Sequence, residues 1–308
     1  MERVPLVVIA GPTGVGKTAT AVALARRLAI EVVGADSRQV YRGVDVATGK
    51  PTASERRAVP HHLLDVVDPD DRYTAARFRA DALAAIAEIR ERGRLPVVVG
   101  GTGLYIRALL RGLDPAPPAD PAFRRELAGV AATEGRAALH ARLSRQSPEM
   151  ARRLHPNDAV RVVRALERLR AGAETAQHRW HTGEGAFDVL YVGLRLSRPV
   201  LFARLRARAE AMVAAGLLDE VRALRARGYG ATLPALQGIG YREFARVADG
   251  TLGVEEALRL MQRDTMRYAK RQTTWFAREP QIEWLEAGDD EAVAAIIQRK
   301  VTMRGFAE

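Results

Sequence analysis

The stretch Gly11-Pro12-Thr13-Gly14-Val15-Gly16-Lys17-Thr18 decides how the first third of this 308-residue chain is organised. It matches the pattern G-x-x-x-x-G-K-[ST], in which backbone N–H groups of a glycine-rich loop cradle phosphate oxygens. The apolar run from Val4 to Ala10 precedes the loop and is typical of a buried strand, whereas Ala19 to Leu28 follows with helical spacing. A loop in this context predicts a phosphate or diphosphate site. We expect Lys17 to reach the terminal phosphate and Thr18 to hold Mg²⁺.

Short apolar runs and longer amphipathic runs alternate beyond this loop. Further strands are predicted at Glu31 to Ala35, Leu95 to Val99, Phe187 to Leu196 and Ile282 to Leu285. Helices are predicted from Thr74 (as N-cap) to Arg92, over 199–226 and 254–271, and over 291–299. Alternation of this kind predicts an α/β fold, with a parallel sheet flanked by helices.

The middle of the chain has a different character. Residues 112–121 carry four prolines and are typical of a linker, and residues 122–170 are helical in pattern throughout. A polar stretch over 171–185 follows. We therefore expect a core made of residues 1–111 and 187–308, interrupted by an all-helical insertion domain over 112–186.

Composition narrows the classes of function. The chain has no cysteine, which excludes a disulfide framework, a thiolate nucleophile and a cysteine zinc site. It has 48 Lys and Arg against 37 Asp and Glu, and the net charge of +11 favours polyanionic partners without proving one. No run is long and apolar enough to span a bilayer, so we expect a cytoplasmic protein with no membrane contact.

One carboxylate is expected beside the phosphate loop. Nucleotide hydrolases commonly end an apolar strand in a Mg²⁺-holding Asp, but the run over 95–99 ends in glycine. Asp36 ends the second predicted strand instead, and strand ends of a parallel sheet gather ligands. Asp36 could act as a general base, as an indirect metal ligand or only as a loop cap. Its neighbours Ser37, Arg38 and Gln39 carry groups that hydrogen-bond a nucleobase edge.

In the order of its motifs, the chain resembles the bacterial tRNA dimethylallyltransferases. The likeness rests on Gly-Pro-Thr-x-x-Gly-Lys-Thr at 11–18, Asp-Ser-x-Gln-x-Tyr at 36–41 and Gly-Gly-Thr-Gly-Leu-Tyr at 100–105. Motifs further along the chain extend it over nearly the whole length, namely Asn157-Asp158 with 161–167, then Arg204, Arg208, Met212, Gly216 and Glu220, then 237–242, then 268–276.

The resemblance implies a P-loop NTPase-like, kinase-like core that binds dimethylallyl diphosphate. Family members transfer the dimethylallyl group to the exocyclic amine of the adenosine immediately 3′ of the anticodon, giving N6-dimethylallyladenosine. The helical insertion would grip the tRNA anticodon stem-loop, Mg²⁺ would assist at the diphosphate, and a monomer is expected.

The resemblance also assigns residues. Asp36 would be the base, Thr102 would orient the acceptor, and Lys17 and Arg208 would stabilise the leaving diphosphate. Binding of the diphosphate would involve Gly11, Pro12, Thr13, Gly14, Val15, Gly16, Lys17 and Thr18. Contacts to tRNA would come from Asp36, Ser37, Arg38, Gln39, Thr102, Arg124, Val160, Arg161, Val162, Val163, Arg164, Gln237, Gly238, Ile239, Gly240, Tyr241 and Arg242.

Two other functions fit the phosphate loop. A small-molecule or nucleotide kinase would bind ATP at the same loop, although it leaves a basic helical insertion unexplained. A non-catalytic nucleotide-binding regulator would need a switch-like Asp at the end of the 95–99 strand, where the sequence has glycine.

Overall fold

A computed structural model describes residues 3–113, 120–172 and 186–306. Within them, six parallel strands form a single sheet in the order β3-β2-β4-β1-β5-β6. The strands are β1 (Val4–Ala10), β2 (Ile30–Ala35), β3 (His61–His62), β4 (Leu95–Gly100), β5 (Phe187–Arg195) and β6 (Glu283–Glu286). The α/β prediction is confirmed; the short edge strand β3 was not anticipated.

The sheet forms because its central strands are apolar on both faces. Every residue of β2 and β4 is buried, as parallel strands covered by helices on both sides require. The register aligns Ala10 of β1 with Gly100 of β4, and Ala35 of β2 with the same Gly100. Three strands therefore end at one level, and the loops that follow them meet at one edge of the sheet.

Helices cover both faces of this sheet. They are α1 (Lys17–Ala25), α2 (Ala53–Ala58), α3 (Ala75–Glu91), α4 (Gly103–Arg111), α9 (Arg198–Ala214), α10 (Leu217–Ala226), α11 (Tyr241–Ala248), α12 (Val254–Phe276) and α13 (Asp290–Met303), with a 3-10 turn at Pro234–Gln237. Thr74 caps α3 as predicted, accepting the backbone N–H of Arg77.

The prediction of one continuous helix over 199–226 is wrong, because the structure has two helices there, α9 and α10. Gly216 stands between α9 and α10 with φ of 91°, a conformation that glycine adopts without a Cβ penalty. The N-terminal turn of α10 thereby points toward the loop after β2. The helices α2, α4 and α11 were not expected from the sequence.

The chain divides into two compact units, Met1–Gly112 with Glu184–Glu308, and Leu113–Gly183. The second unit contains α5 (Pro121–Thr133), α6 (Arg136–Gln146), α7 (Pro148–Arg152) and α8 (Ala159–Arg170) around its own apolar cluster. Most of the predicted proline-rich linker and nearly all of the polar stretch over 171–185 lie outside the described residues. None of the described helices is long and apolar enough to cross a membrane.

Candidate active site

The phosphate loop lies between β1 and α1, as its motif predicts. Gly16 precedes α1 with φ of 111°, so the backbone turns into the helix through a conformation that other residues rarely adopt. Lys17 Nζ donates to the carbonyl oxygens of Gly11 (3.0 Å) and Pro12 (2.8 Å) and so folds back over its own loop. The loop leads directly into the N-terminus of α1, where backbone N–H groups and the helix dipole favour a bound anion.

The ammonium of Lys17 is unusually easy to deprotonate. Burial lowers its pKa from 10.5 to about 8, the negative charge of Asp36 opposes this shift, and the guanidinium of Arg208 adds to it. A bound diphosphate would add negative charge at the loop and restore the charged form. An anionic ligand and the charged form of Lys17 would therefore stabilise each other at this loop.

Asp36 and Thr102 follow neighbouring strands and lie at the same edge. An Asp36 carboxylate oxygen accepts the backbone N–H of Arg38 (2.8 Å), and Thr102 Oγ1 accepts the backbone N–H of Ser37 (3.0 Å). The Thr102 N–H donates to Ala35 O (3.1 Å), which fixes the two loops to each other. Tyr268 on α12 lies near Thr102, and burial together with the Asp36 charge raises the pKa of this phenol to about 12.

A cavity of about 260 Å³ lies at this edge of the sheet; Asp36 and Tyr268 line it, whereas Lys17 and Thr102 do not. Thr13 of the phosphate loop, Asp36 and Arg208 are among its polar lining residues, and Leu205 and Met212 are among the apolar ones. The other lining residues are Ser37, Arg38, Ala47, Thr48, Ala209, Gln237, Gly238, Ile239, Tyr241, Arg242, Met261, Thr265, Tyr268 and Arg271. The cavity thus combines cations, one carboxylate and an apolar wall.

Arg208 reaches this cavity from α9. Its Nη2 lies 3.5 Å from Gly49 O, and a Cβ at Gly49 would lie 1.8 Å from the same nitrogen. Any other residue at position 49 would have to displace the guanidinium. Gly49 also has φ of 57°, a conformation that strains residues with a Cβ. Burial lowers the pKa of Arg208 and nearby Asp36 opposes the shift, although an arginine remains charged at physiological pH.

The loop over 44–50, which carries Gly49, is held by two clamps. Glu220 on α10 accepts the backbone N–H groups of Asp45 (3.1 Å) and Val46 (3.2 Å). It also accepts the hydroxyl of Tyr241, whose pKa is raised by burial first and by the Glu220 charge second. The second clamp is Lys50, whose buried side chain donates to the carboxylates of Asp45 and Asp65 and to Tyr41 O, each at 2.5 Å.

Most residues predicted to contact the acceptor adenosine from this unit line the cavity, but Gln39, Thr102 and Gly240 do not. The amide of Gln39 donates to Thr48 O (3.2 Å) and Gly49 O (3.1 Å), so it supports the loop over 44–50. Gly240 has φ of 93° and its backbone N–H donates to Glu243 (2.7 Å). The guanidinium of Arg242 is held by Glu243 and Asp264 at the cavity rim.

The predicted RNA contacts of the helical unit divide by exposure. Arg124 and Arg164 both form ion pairs with the carboxylate of Glu167, whose side chain is 1% exposed. Val162 is fully buried and Val163 partly buried against the same cluster. At the start of α8, Val160 is 82% exposed and the Arg161 side chain 66% exposed.

Sequence reasoning assigned no role to three residues that shape the site. They are Lys50, Tyr268 and Gln272; Tyr268 and Gln272 stand inside the motif over 268–276, which is the available signal, whereas Lys50 lies outside the quoted motifs. The partners of Gln272 come from loops far along the chain, so the spacing of residues could not reveal its contacts. Gln272 is buried, and its amide bonds both Thr13 N (2.9 Å) and Gly101 O (2.9 Å).

Comparisons with known proteins agree with one another. The family model "IPP transferase" matches residues 39–279, and a model for isopentenyl transferase matches residues 4–68. A tRNA dimethylallyltransferase of Anaeromyxobacter dehalogenans is 52% identical over 299 residues, covering 96% of this chain and 99% of that protein. One of Syntrophobacter fumaroxidans is 48% identical over 299 residues, covering 96% of this chain and 87% of that protein.

Solved structures give the same result. A tRNA isopentenylpyrophosphate transferase of Bacillus halodurans has a TM-score of 0.73 at 40% identity, covering 97% of this chain and 96% of that one. A eukaryotic dimethylallyltransferase acting on tRNA has a TM-score of 0.76 at 27% identity, covering 98% and 80%. The matching model spans more than half of the chain, and close relatives match almost end to end. This chain therefore belongs to the IPP transferase family of prenyltransferases.

Proposed function

We propose that this protein transfers a dimethylallyl group from dimethylallyl diphosphate to the exocyclic amine of the adenosine immediately 3′ of the anticodon in tRNA. The observation that carries the proposal is the cavity itself, because it places Thr13 of the phosphate loop, Arg208 and Asp36 around one space. An anionic leaving group, an apolar alkyl chain and an amine that loses a proton each find a suitable group there.

The leaving diphosphate is stabilised at the phosphate loop. As the bond between the allylic carbon and the diphosphate oxygen breaks, negative charge grows on that oxygen. Lys17, Arg208 and the N–H groups at the start of α1 are fixed before the reaction, so they stabilise this charge without reorganising. The apolar wall, which includes Leu205 and Met212, would receive the five-carbon chain.

The acceptor amine is a weak nucleophile because its lone pair is delocalised into the adenine ring. As its nitrogen forms a bond to the allylic carbon, the amine must give up one proton, and Asp36 is the proposed acceptor. Thr102 and Ser37 hold the loop that carries Asp36. The adenine must leave its stack to reach the cavity, which favours a loop substrate over a duplex.

Mg²⁺ is the proposed cofactor. Among the described residues, no group of three or more His, Asp or Glu side chains is arranged to hold a metal ion. Thr18 in the first turn of α1 offers a hydroxyl, which fits an ion held mostly by diphosphate oxygens and water. When bound, the ion would neutralise part of the diphosphate charge.

The proposed RNA substrate agrees with the charge of the chain. The net charge of +11 favours binding to a polyanion, and exposed Arg161 in the helical unit offers a cation for a phosphate. In the same proposal the protein is cytoplasmic and monomeric. Light scattering at micromolar concentration would test the monomeric state.

One experiment tests the proposal and separates it from a kinase, which the comparisons do not favour. The protein is incubated with Mg²⁺, labelled dimethylallyl diphosphate and an anticodon stem-loop that bears the target adenosine. We expect label in the RNA, and none in a stem-loop whose target adenosine is replaced by guanosine. Absence of transfer together with turnover of ATP would instead indicate a kinase.

A further inference from the structure

Gln272 occupies an unusual position on α12. Its side chain is 5% exposed, and both ends of its amide are used. The carbonyl oxygen accepts the backbone N–H of Thr13 (2.9 Å), and the nitrogen donates to the backbone carbonyl of Gly101 (2.9 Å). One buried side chain therefore joins two loops that are 88 residues apart in sequence.

These two loops hold the two halves of the cavity. Thr13 belongs to the loop proposed to bind the diphosphate. Gly101 precedes Thr102, which accepts the N–H of Ser37 beside Asp36. A continuous path of hydrogen bonds and covalent bonds thus runs from the leaving-group side through Gln272 to the acceptor side.

The side-chain amide of Gln272 packs closely against Gly101. A Cβ at Gly101 would lie 2.2 Å from the Gln272 amide nitrogen, so only glycine permits this approach. Two neighbours on the same face of α12 fix the helix against the same loop. Tyr268 lies near Thr102, and the Trp275 indole lies where a Cβ on Gly103 would be 2.1 Å from its nitrogen.

We infer that Gln272 is a positioning residue that sets the separation between the diphosphate loop and the acceptor loop. The inference rests on the proposed transferase function. Transfer requires the amine nitrogen and the allylic carbon to be aligned at near-contact distance, and an error of 1 Å can lower a rate about 100-fold. Each half of the cavity keeps its own binding groups without Gln272, so binding should change far less than turnover.

The test compares Gln272→Met with Gln262→Met. Both glutamines lie on α12, but Gln262 hydrogen-bonds only Glu210 at the surface among the contacts described. We measure kcat, KM for both substrates, the Kd of inorganic pyrophosphate by calorimetry, and the thermal midpoint. For Gln272→Met we expect kcat to fall about 100-fold while the pyrophosphate Kd changes less than about threefold. The Gln262→Met control should match wild type.

A purely structural role would give a different pattern. Loss of folded protein lowers the active fraction and the calorimetric stoichiometry together, without a change in kcat per bound pyrophosphate site. That pattern, or an unchanged kcat, would overturn the inference. If Gln272→Met does not fold, Gln272→Glu decides, since it keeps the size and the acceptor for Thr13 but loses the donor to Gly101. Its kcat per site should fall at least about tenfold, and failure of both variants to fold would assign Gln272 to stability alone.

Wild-type protein separates this inference from the proposed function. If wild type labels the stem-loop and Gln272→Met does so equally well, only the positioning role is wrong. If wild type binds pyrophosphate but labels no RNA, the proposed function fails, and the role assigned to Gln272 fails with it.

Discussion

At the scale of single residues, Lys17 and Asp36 determine each other's electrostatic surroundings. The carboxylate favours the charged ammonium, while burial and Arg208 disfavour it. Asp36 is also held by the N–H of Arg38, so its carboxylate has a fixed direction. The pair therefore combines an anion-binding cation with a base, and each can be altered separately.

The first prediction concerns Asp36→Asn, which keeps an oxygen for the Arg38 N–H but accepts no proton. We expect transfer to fall at least about 100-fold, the contribution typical of a general base. The Kd of pyrophosphate should be unchanged or lower, because a negative charge near the loop is removed. Rapid-quench transfer assays and calorimetry measure the two quantities. Equal losses in both would contradict the assignment of Asp36 as base.

The second prediction concerns pH. Because Lys17 has a pKa of about 8 without ligand, it is mostly charged below that pH and mostly neutral above it. An anion binds the charged form better, so binding takes up a proton and the affinity for pyrophosphate should fall as pH rises through about 8. Titration calorimetry in two buffers of different ionisation enthalpy detects that proton. Lys17→Met serves as the control and should lose this component while keeping the ionisation of pyrophosphate itself.

At the scale of elements, the strands and long helices follow from apolar spacing, but the loops between them do not. The break at Gly216 turns α10 so that Glu220 receives the N–H groups of Asp45 and Val46. A helical pattern runs through this break with no interruption in apolar spacing, so the sequence predicted one helix. Glycine alone signals the break, and glycine inside a helix is too common to decide it.

The third prediction concerns this clamp. Glu220→Ala leaves two backbone N–H groups and the Tyr241 hydroxyl without their acceptor; the Tyr241 side chain is buried, and an unpaired buried group costs about 1–3 kcal/mol. We expect a lower free energy of unfolding in urea and a higher KM for the RNA stem-loop, because the loop over 44–50 forms part of the cavity wall. Glu210→Ala on α9 is the matched control, since Glu210 contacts only surface groups among the contacts described. Equal effects of the two substitutions would refute the clamp.

At the scale of the whole molecule, the two units have separate cores and separate polar centres. In the helical unit, Glu167 is buried with Arg124 and Arg164, which hold its pKa down to about 2 against the opposing effect of burial. Its carboxylate therefore stabilises the unit above its ordinary pKa, and that contribution is lost as pH falls toward 2. The arginines assigned to RNA from the sequence thus also have a partner within the unit.

The fourth prediction uses Glu167 to test whether the helical unit binds the RNA while the core binds the diphosphate. Glu167→Gln removes the charge that pairs with Arg124 and Arg164, so the free energy of unfolding of the helical unit should fall. We expect the stem-loop Kd to rise, while the Kd of pyrophosphate stays at its wild-type value. Glu149→Gln is the control, because its pair with Arg153 is exposed and contributes little. A parallel loss of pyrophosphate binding would show that the core depends on this centre.

The sequence by itself determined the phosphate loop, the α/β class and the position of Asp36 after a strand. Those features are local, because a glycine-lysine loop and apolar periodicity are written in neighbouring residues. The tertiary structure alone decided that Gln272 joins Thr13 to Gly101, that Lys50 lies buried among carboxylates, and that Arg208 requires a glycine at position 49. The contacts of Gln272 and Arg208 link segments from distant parts of the chain, and only the folded sheet brings its strand ends, α9 and α12 together. Those of Lys50 are closer in sequence but depend on how the loop after β2 folds.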